Sequence, residues 1–406
     1  MGELDVVLAA GRQIGGRAAG RGVLLLQGPM GPFFRKLDDC LQASRVRTCR
    51  ICFSGGDRFF ANRKNRIDYR GKPDSWKAFV SKLCAEKKIG TLVLYGDCRF
   101  YHRVAIGAAR ASGIQVFVFE EGYLRPNFVT LETEGVNARS RQPRDAAFYR
   151  GLKVQPTLES STPAAKYNYQ RQALFAILYF LGMHLEKCRY PHYRHHRSTH
   201  IGRELIYGLR NAARKIWFRL TEKPFIKAIT EDISKRYFLV PLQVQYDFQI
   251  SRHSHFKNMQ DFIATVMTSF ARCAPDGVDL VFKHHPMDRG RRLYYKYIRD
   301  AAKRLGVTHR VQAVHDAHLP TCLKNAIGTV TINSTVGIQS LYHGASTIVL
   351  GKALYDIEGL TCHGMPLDRF WSEHHPPDKH LFQKFRRHLI EQTQLTGSFY
   401  GGFAGQ

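Results

Sequence analysis

"TLVLYGDCRFYHRVAIGAARASGIQVFVFEEG", residues 91–122, decides the fold. It opens on a short apolar run closed by a glycine. A segment of helical periodicity follows from about Arg99 to Ala111, then Ser-Gly, then a second apolar run that ends on two carboxylates. Continuous apolar strands joined by a helix predict a parallel sheet covered on both faces.

The same alternation extends outward in both directions. Upstream lie "GVLLLQ" (22–27), a Gly/Pro loop, a helix from about Phe33, "TCRICF" (48–53) and a helix from about Ser75 to Glu86. Downstream come "YFLVPLQV" (237–244), "DLVFK" (279–283), "HRVQAV" (309–314), "GTVTIN" (328–333) and "STIVLG" (346–351), each separated by a helical stretch. The expectation is an α/β chain with two doubly wound, Rossmann-like domains facing a cleft. Residues 1–20 read as a mobile leader and 21–150 as the first domain. Residues 151–235 form a helical basic segment, 236–370 the second domain, and 371–406 a C-terminal helix and tail.

Charge narrows the partners. The 406 residues carry 61 Lys+Arg against 33 Asp+Glu, a formal net charge of +28. At 44% hydrophobic and 12% aromatic the chain is globular, so the excess points to an anionic partner and not to a disordered basic arm. Nucleic acid, a phospholipid surface and a phosphorylated substrate all remain open on composition. Nine cysteines without framework spacing indicate a reducing compartment. Cys49 and Cys52 sit in a predicted strand on opposite faces, which argues against a metal or redox pair. The longest apolar run, "ALFAILYFLGMHL" from Ala173, falls short of the roughly 20 residues that a spanning helix needs. The expected location is cytoplasmic, with at most a peripheral hold on a membrane.

Ligands of open α/β sheets collect at the carboxyl ends of the strands. In the first half those ends carry Gln27 and Gly28, then Asp97, Arg99 and His102, then Glu120 and Glu121 with Arg125 following. In the second half they carry Gln245 and Asp247, then Lys283, His284, His285 and Pro286, then Asn333, Ser334 and Thr335. Ser334-Thr335 is at least an N-cap, and the same helix start would suit a phosphate. A second His-Pro, His375-Pro376, precedes a helix and takes a structural role. The histidine run "PHYRHHRSTH" (191–200) is crowded by Arg194 and Arg197 and reads as an anion-facing surface, so no metal site is assigned. No P-loop and no dinucleotide fingerprint follows the first strand.

An acidic pair with glycine, His-Pro after a strand and Ser-Thr opening a helix resemble the three-motif layout of bacterial sialyltransferases that use a CMP-sugar. The longer stretches "QGPMGPFF", "YGDCRFYH", "FEEGYLRP", "PLQVQYDFQI", "FKHHPMDRG" and "TINSTVGIQSLYHG" are more specifically similar to the capsule polysaccharide β-Kdo transferases of the KpsS/LipB type. They span roughly residues 22–352, in the family's order.

The resemblance implies a GT-B-like fold and a retaining transfer of Kdo from CMP-β-Kdo to (lyso)phosphatidylglycerol. That step would start the poly-β-Kdo linker of capsular polysaccharide on the cytoplasmic face of the inner membrane. It implies CMP-Kdo as donor, no cofactor and no metal. The implied partners are an anionic phospholipid, a second Kdo transferase and the capsule ABC transporter, with no nucleic acid. Asp247 matches the acid expected to act as nucleophile, and Glu120, or Glu121 in its place, the base for the acceptor hydroxyl. Lys283, His284, His285, Pro286, Asn333, Ser334 and Thr335 would bind the CMP-sugar, with His285 also catalytic, stabilising with Lys283 the departure of the CMP phosphate. Gln27, Gly28, Asp97, Arg99, His102, Arg125 and Gln245 would contact acceptor or sugar. The rivals are a non-catalytic capsule assembly or export factor and a basic nucleic-acid-binding protein. The basic 187–227 stretch, helped by the apolar 173–185 run, is expected to touch the membrane.

Overall fold

The computed structural model describes residues 2–401 apart from positions 19, 126, 154–167, 196–200, 245–249, 251, 252 and 292, and apart from the side chains at 201, 204 and 205. The chain divides into two compact units. One comprises Met1–Arg141, Gln155–Thr199 and His388–Gln406, the other Gln142–Val154 and His200–Arg387.

The first unit holds β1 (Gly22–Leu25), β2 (Thr48–Cys52), β3 (Arg66–Asp68), β4 (Ile89–Tyr95), β5 (Gln115–Glu121) and β6 (Phe128–Thr133), with β12 (Gln394–Thr396) from the far end of the chain. Their order is β12-β6-β5-β4-β1-β2-β3. Strands β1 to β5 run parallel, whereas β6 and β12 extend the sheet antiparallel. Val116 and Val118 of β5 enter the core under the Trp76–Glu86 and Phe100–Ala111 helices. Phe117 and Phe119 enter the opposite one, under Phe33 and Phe34. Burial on both faces is why β5 is apolar without alternation.

Residues 1–20 are not a loose leader. Glu3–Arg17 forms a helix whose Val6, Val7, Ala10 and Ile14 are buried in the Phe33/Phe117 core. Its glycines lower helix propensity, which hid it in the sequence. Gly11 is required by contact, because a Cβ there would lie 2.6 Å from Cys40 Sγ.

The second unit holds β7 (Tyr237–Pro241), β8 (Asp279–Lys283), β9 (Val311–Val314), β10 (Gly328–Thr331) and β11 (Ser346–Val349), ordered β11-β10-β7-β8-β9 and all parallel. Both units therefore share one winding, in which strand order reverses beside the first strand. The switch points fall between β1 and β4 and between β7 and β10. This bears out the doubly wound α/β reading.

The helical segment expected over 151–235 is shared between the units. Helix Tyr169–Leu185 packs on the first, where Gly55 and Gly56 admit it. A Cβ at Gly55 would meet Gly182 O at 2.0 Å, and one at Gly56 would meet Tyr179 O at 2.5 Å. Helices Ile201–Thr221 and Lys223–Thr230 belong to the second. No helix among the described residues is long and apolar enough to cross a membrane.

Candidate functional site

The carboxyl end of the first sheet gathers acids. Glu120 and Glu121 close β5 and, as neighbours in a strand, point to opposite faces. Glu121 lies on the Phe117/Phe119 face. Glu120 lies on the other and sits over Gly96, whose missing Cβ would stand 3.6 Å from Oε2. Both acids are half-buried, and Glu120 Oε1 accepts from Glu121 N at 3.0 Å. Burial first, with the Glu121 and Asp97 charges behind it, raises the Glu120 carboxyl to about 7, against the pull of that amide bond and Arg125. Burial also raises Glu121, opposed by Arg125. Arg125 is exposed and donates to Gly122 O at 3.3 Å, while the Arg99 guanidinium lies 5.5 Å from the Tyr95 ring centre.

Other residues expected to contact substrate here are committed to the fold. Gln27 Nε2 faces Asp57 Oδ2 at 3.0 Å, Tyr179 OH at 3.2 Å and Tyr193 OH at 2.9 Å, a buried network that fastens the Tyr169–Leu185 helix to the switch point. Asp97 is buried and accepts from Val136 N at 3.3 Å. His102 is fully buried with Nδ1 2.7 Å from Gly96 O, and burial holds its ring neutral at about 3. Gly28 has a packing reason, since a Cβ would strike the Phe34 ring at 2.6 Å.

The carboxyl end of the second sheet gathers cations and imidazoles. Lys283 is buried, and its Nζ donates to His315 O at 3.1 Å. Burial lowers its pKa, and a neighbouring anion would oppose that shift. His284 stacks on His315 with ring centres 4.1 Å apart, and Phe218 covers His315 at 4.6 Å. His284 Nε2 accepts from Tyr294 N at 2.9 Å, which places the neutral ring's proton on Nδ1. Burial keeps His284 neutral at about 4 and His315 at about 2, with neighbouring cations adding to the second shift. His284 Nδ1, both His315 ring nitrogens and Arg289 Nε are buried without a hydrogen-bond partner. A neutral imidazole has one N–H and one lone-pair nitrogen, so the orphan donors are His284 Nδ1–H, one His315 N–H and Arg289 Nε–H. Orphan donors are rare in folded proteins, and an anion would satisfy these three.

His285 opens the Pro286–Asp288 turn, where its Nδ1 accepts from Met287 N at 3.1 Å and the neutral ring's proton is left on Nε2. Asn333 and Gln243 bond reciprocally across the switch point, at 3.1 Å and 3.3 Å. Ser334 Oγ accepts from Val336 N at 3.2 Å. The helix it opens, Val336–Tyr342, has only two turns, so the hydroxyls of Ser334 and Thr335, more than a helix dipole, are what this loop offers a phosphate. Asp247 and Gln245 lie outside the described residues.

The family profile described as capsule polysaccharide biosynthesis protein matches residues 90–400. The chain is 40% identical to the capsule polysaccharide export protein KpsS of Escherichia coli, over 94% of this chain and 97% of that one. The chain belongs to the capsule polysaccharide biosynthesis family. It is also 36% identical to the capsule polysaccharide modification protein LipB of Neisseria meningitidis serogroup B, over 93% and 91% of the two chains. The solved KpsC β-Kdo 2,7-transferase of Thermosulfurimonas dismutans aligns over 89% of this chain and 88% of its own, at 13% identity and a TM-score of 0.41. That likeness carries no functional weight here.

In this capsule-family chain several residues at the strand ends escape a motif reading. Glu222 is buried and receives His315 N at 2.7 Å, Asp316 N at 2.6 Å and Tyr295 OH at 2.8 Å, which pins the loop after β9. Asp57, Gln243 and His315 are equally silent in sequence, because each bonds a group 30 or more residues away. Only the strand-end rule, applied to "VHD" at 314–316, would have found His315.

Proposed function

We propose that this chain is a retaining glycosyltransferase that moves Kdo from CMP-β-Kdo to (lyso)phosphatidylglycerol and so starts the poly-β-Kdo linker of capsular polysaccharide. The observation that carries the reading is the division of charge between the two sheets. Glu120 and Glu121 close a strand in one unit, and Lys283, His284, His285, His315 and Arg289 crowd the strand ends of the other. An acceptor hydroxyl needs a base, and a departing CMP phosphate needs donors and positive charge. A GT-B enzyme assigns these tasks to two doubly wound domains, and this chain has two of the same winding. The KpsS and LipB relatives are named for export and modification of capsule, which frames the pathway without stating the reaction.

In the mechanism, the Asp247 carboxylate forms a bond to the anomeric carbon of Kdo as the bond to the CMP phosphate breaks. Lys283, His285 Nε2–H and the hydroxyls of Ser334 and Thr335 hold the departing phosphate. The acceptor oxygen then displaces Asp247 while its proton passes to Glu120. Two displacements at one carbon give net retention, as a carboxylate nucleophile requires.

The donor half is tested by calorimetric titration with CMP. Wild-type protein should bind it, and His285→Ala should weaken binding roughly tenfold by removing a donor to phosphate. Equal affinity in the two proteins, or no CMP binding at all, would move the donor site elsewhere.

A further inference from the structure

Helix Ile201–Thr221 is fastened to the second unit by one stripe of its surface. Tyr207, Asn211, Arg214 and Phe218 recur at helical spacing on that stripe. The Tyr207 carbonyl abuts Gly290, where a Cβ would lie 2.2 Å from it. Arg214 Nη1 donates to Arg289 O at 2.8 Å, so this cation, expected to face a membrane, is turned into the protein. Phe218 stacks on His315 at 4.6 Å.

At about 3.6 residues per turn, the opposite face carries Ile206, Leu209, Ile216, Trp217 and Leu220. Their exposures are 55%, 75%, 65%, 64% and 60%. Five large apolar side chains on one side of one helix exceed the scatter of single exposed residues. Exposed cations border this face on both sides, Arg203 and Arg210 along one edge and Lys215 and Arg219 along the other. Glu204 is the one acid in the helix sequence.

We propose that this face lies in the plane of an anionic phospholipid bilayer, with its apolar residues in the acyl boundary and its four flanking cations against the headgroups. Charge decides the occupant. Arg and Lys on both flanks can extend to a phosphate surface while their stems cover apolar area. A second protein's apolar face would bury those charges without return. The first unit repeats the apolar part of the arrangement, because helix Tyr169–Leu185 exposes Leu174, Ile177, Leu181 and Leu185 on the side away from Phe175 and Tyr179.

The inference deepens the acceptor side of the proposed reaction, and its test leaves the sugar donor out, so the two can fail separately. Trp76 and Trp371 are buried while Trp217 is exposed, which makes Trp217 emission a local probe. The chain is titrated with vesicles of phosphatidylglycerol in phosphatidylcholine and with pure phosphatidylcholine. On the anionic vesicles alone, Trp217 emission should shift to the blue and be quenched by acyl-brominated lipid, and high salt should reverse both. Leu209→Gln/Ile216→Gln/Leu220→Gln should lower vesicle affinity at least tenfold with an unchanged melting temperature. Neutralising Arg203, Arg210, Lys215 and Arg219 to Gln should cost roughly fivefold per cation at low salt. Trp217 that stays unquenched on anionic vesicles, or a triple variant that binds like wild type, overturns the proposal. So does a triple variant that changes from dimer to monomer in sedimentation while lipid quenching is absent from both proteins, which would assign the face to a second copy of the chain.

Discussion

Glu120 shows how far a single position can be read from sequence. An acid closing an apolar strand is visible in "VFVFEEG", but the surroundings of each of the two acids are decided by the face on which it lands. Glu120 lies above Gly96, where burial and neighbouring acids raise it to about 7. A base with that pKa is half-ionised at neutral pH, so transfer should rise with pH through about 7. Glu120→Gln should lower the rate by about 10²–10⁴-fold and abolish that limb of the pH profile. Stability should move the other way. A carboxyl raised on folding favours the fold below its unfolded pKa, and that contribution is lost as pH rises through about 7. The variant should therefore melt higher than wild type at pH 8, with the gap closing toward pH 4. A pH–rate profile and paired melts check both, and an unaltered acid limb would assign the base elsewhere.

Glu222 makes the corresponding point at the level of elements, since it joins the end of one helix to the loop after β9. Its carboxylate satisfies two backbone amides and one phenol, all close to the His284–His315 stack. Glu222→Ala leaves those donors buried without an acceptor, at about 1–3 kcal/mol for each. The variant should lose several degrees of melting temperature, and CMP affinity should fall with it. Full CMP affinity at a lowered melting temperature would show that the loop serves stability alone. Elements were legible where the pattern was local. The strand–helix alternation located β1, β2, β4, β5 and all five strands of the second sheet. The Glu3–Arg17 helix was not legible, because its glycines lower helix propensity, and the one that packs tightly on the Phe33–Ala43 helix, Gly11, does so through a tertiary contact with Cys40. The antiparallel β6–β12 edge also escaped, since Leu395 pairs with Val129 across most of the chain length. The candidate site divides in the same way. Strand-end position was readable, whereas the burial of Gln27, Asp97, His102 and His284 depends on tertiary partners that no motif displays.

For the whole molecule, two units of one winding, an acidic strand end in one and a cationic strand end in the other fit a two-substrate transfer better than a binding or export role. Net charge alone fitted nucleic acid equally well. Family membership points to capsule synthesis and away from nucleic acid, and the two strand ends favour a transferase. The most direct measurement is mass spectrometry of a fluorescent phosphatidylglycerol after incubation with purified protein and CMP-Kdo. The account predicts a lipid heavier by a Kdo residue, formed together with free CMP and absent with Asp247→Ala, a variant that should still fold and bind CMP. An unmodified lipid under conditions where the protein binds CMP would contradict it, as would undiminished transfer by Asp247→Ala for the double displacement.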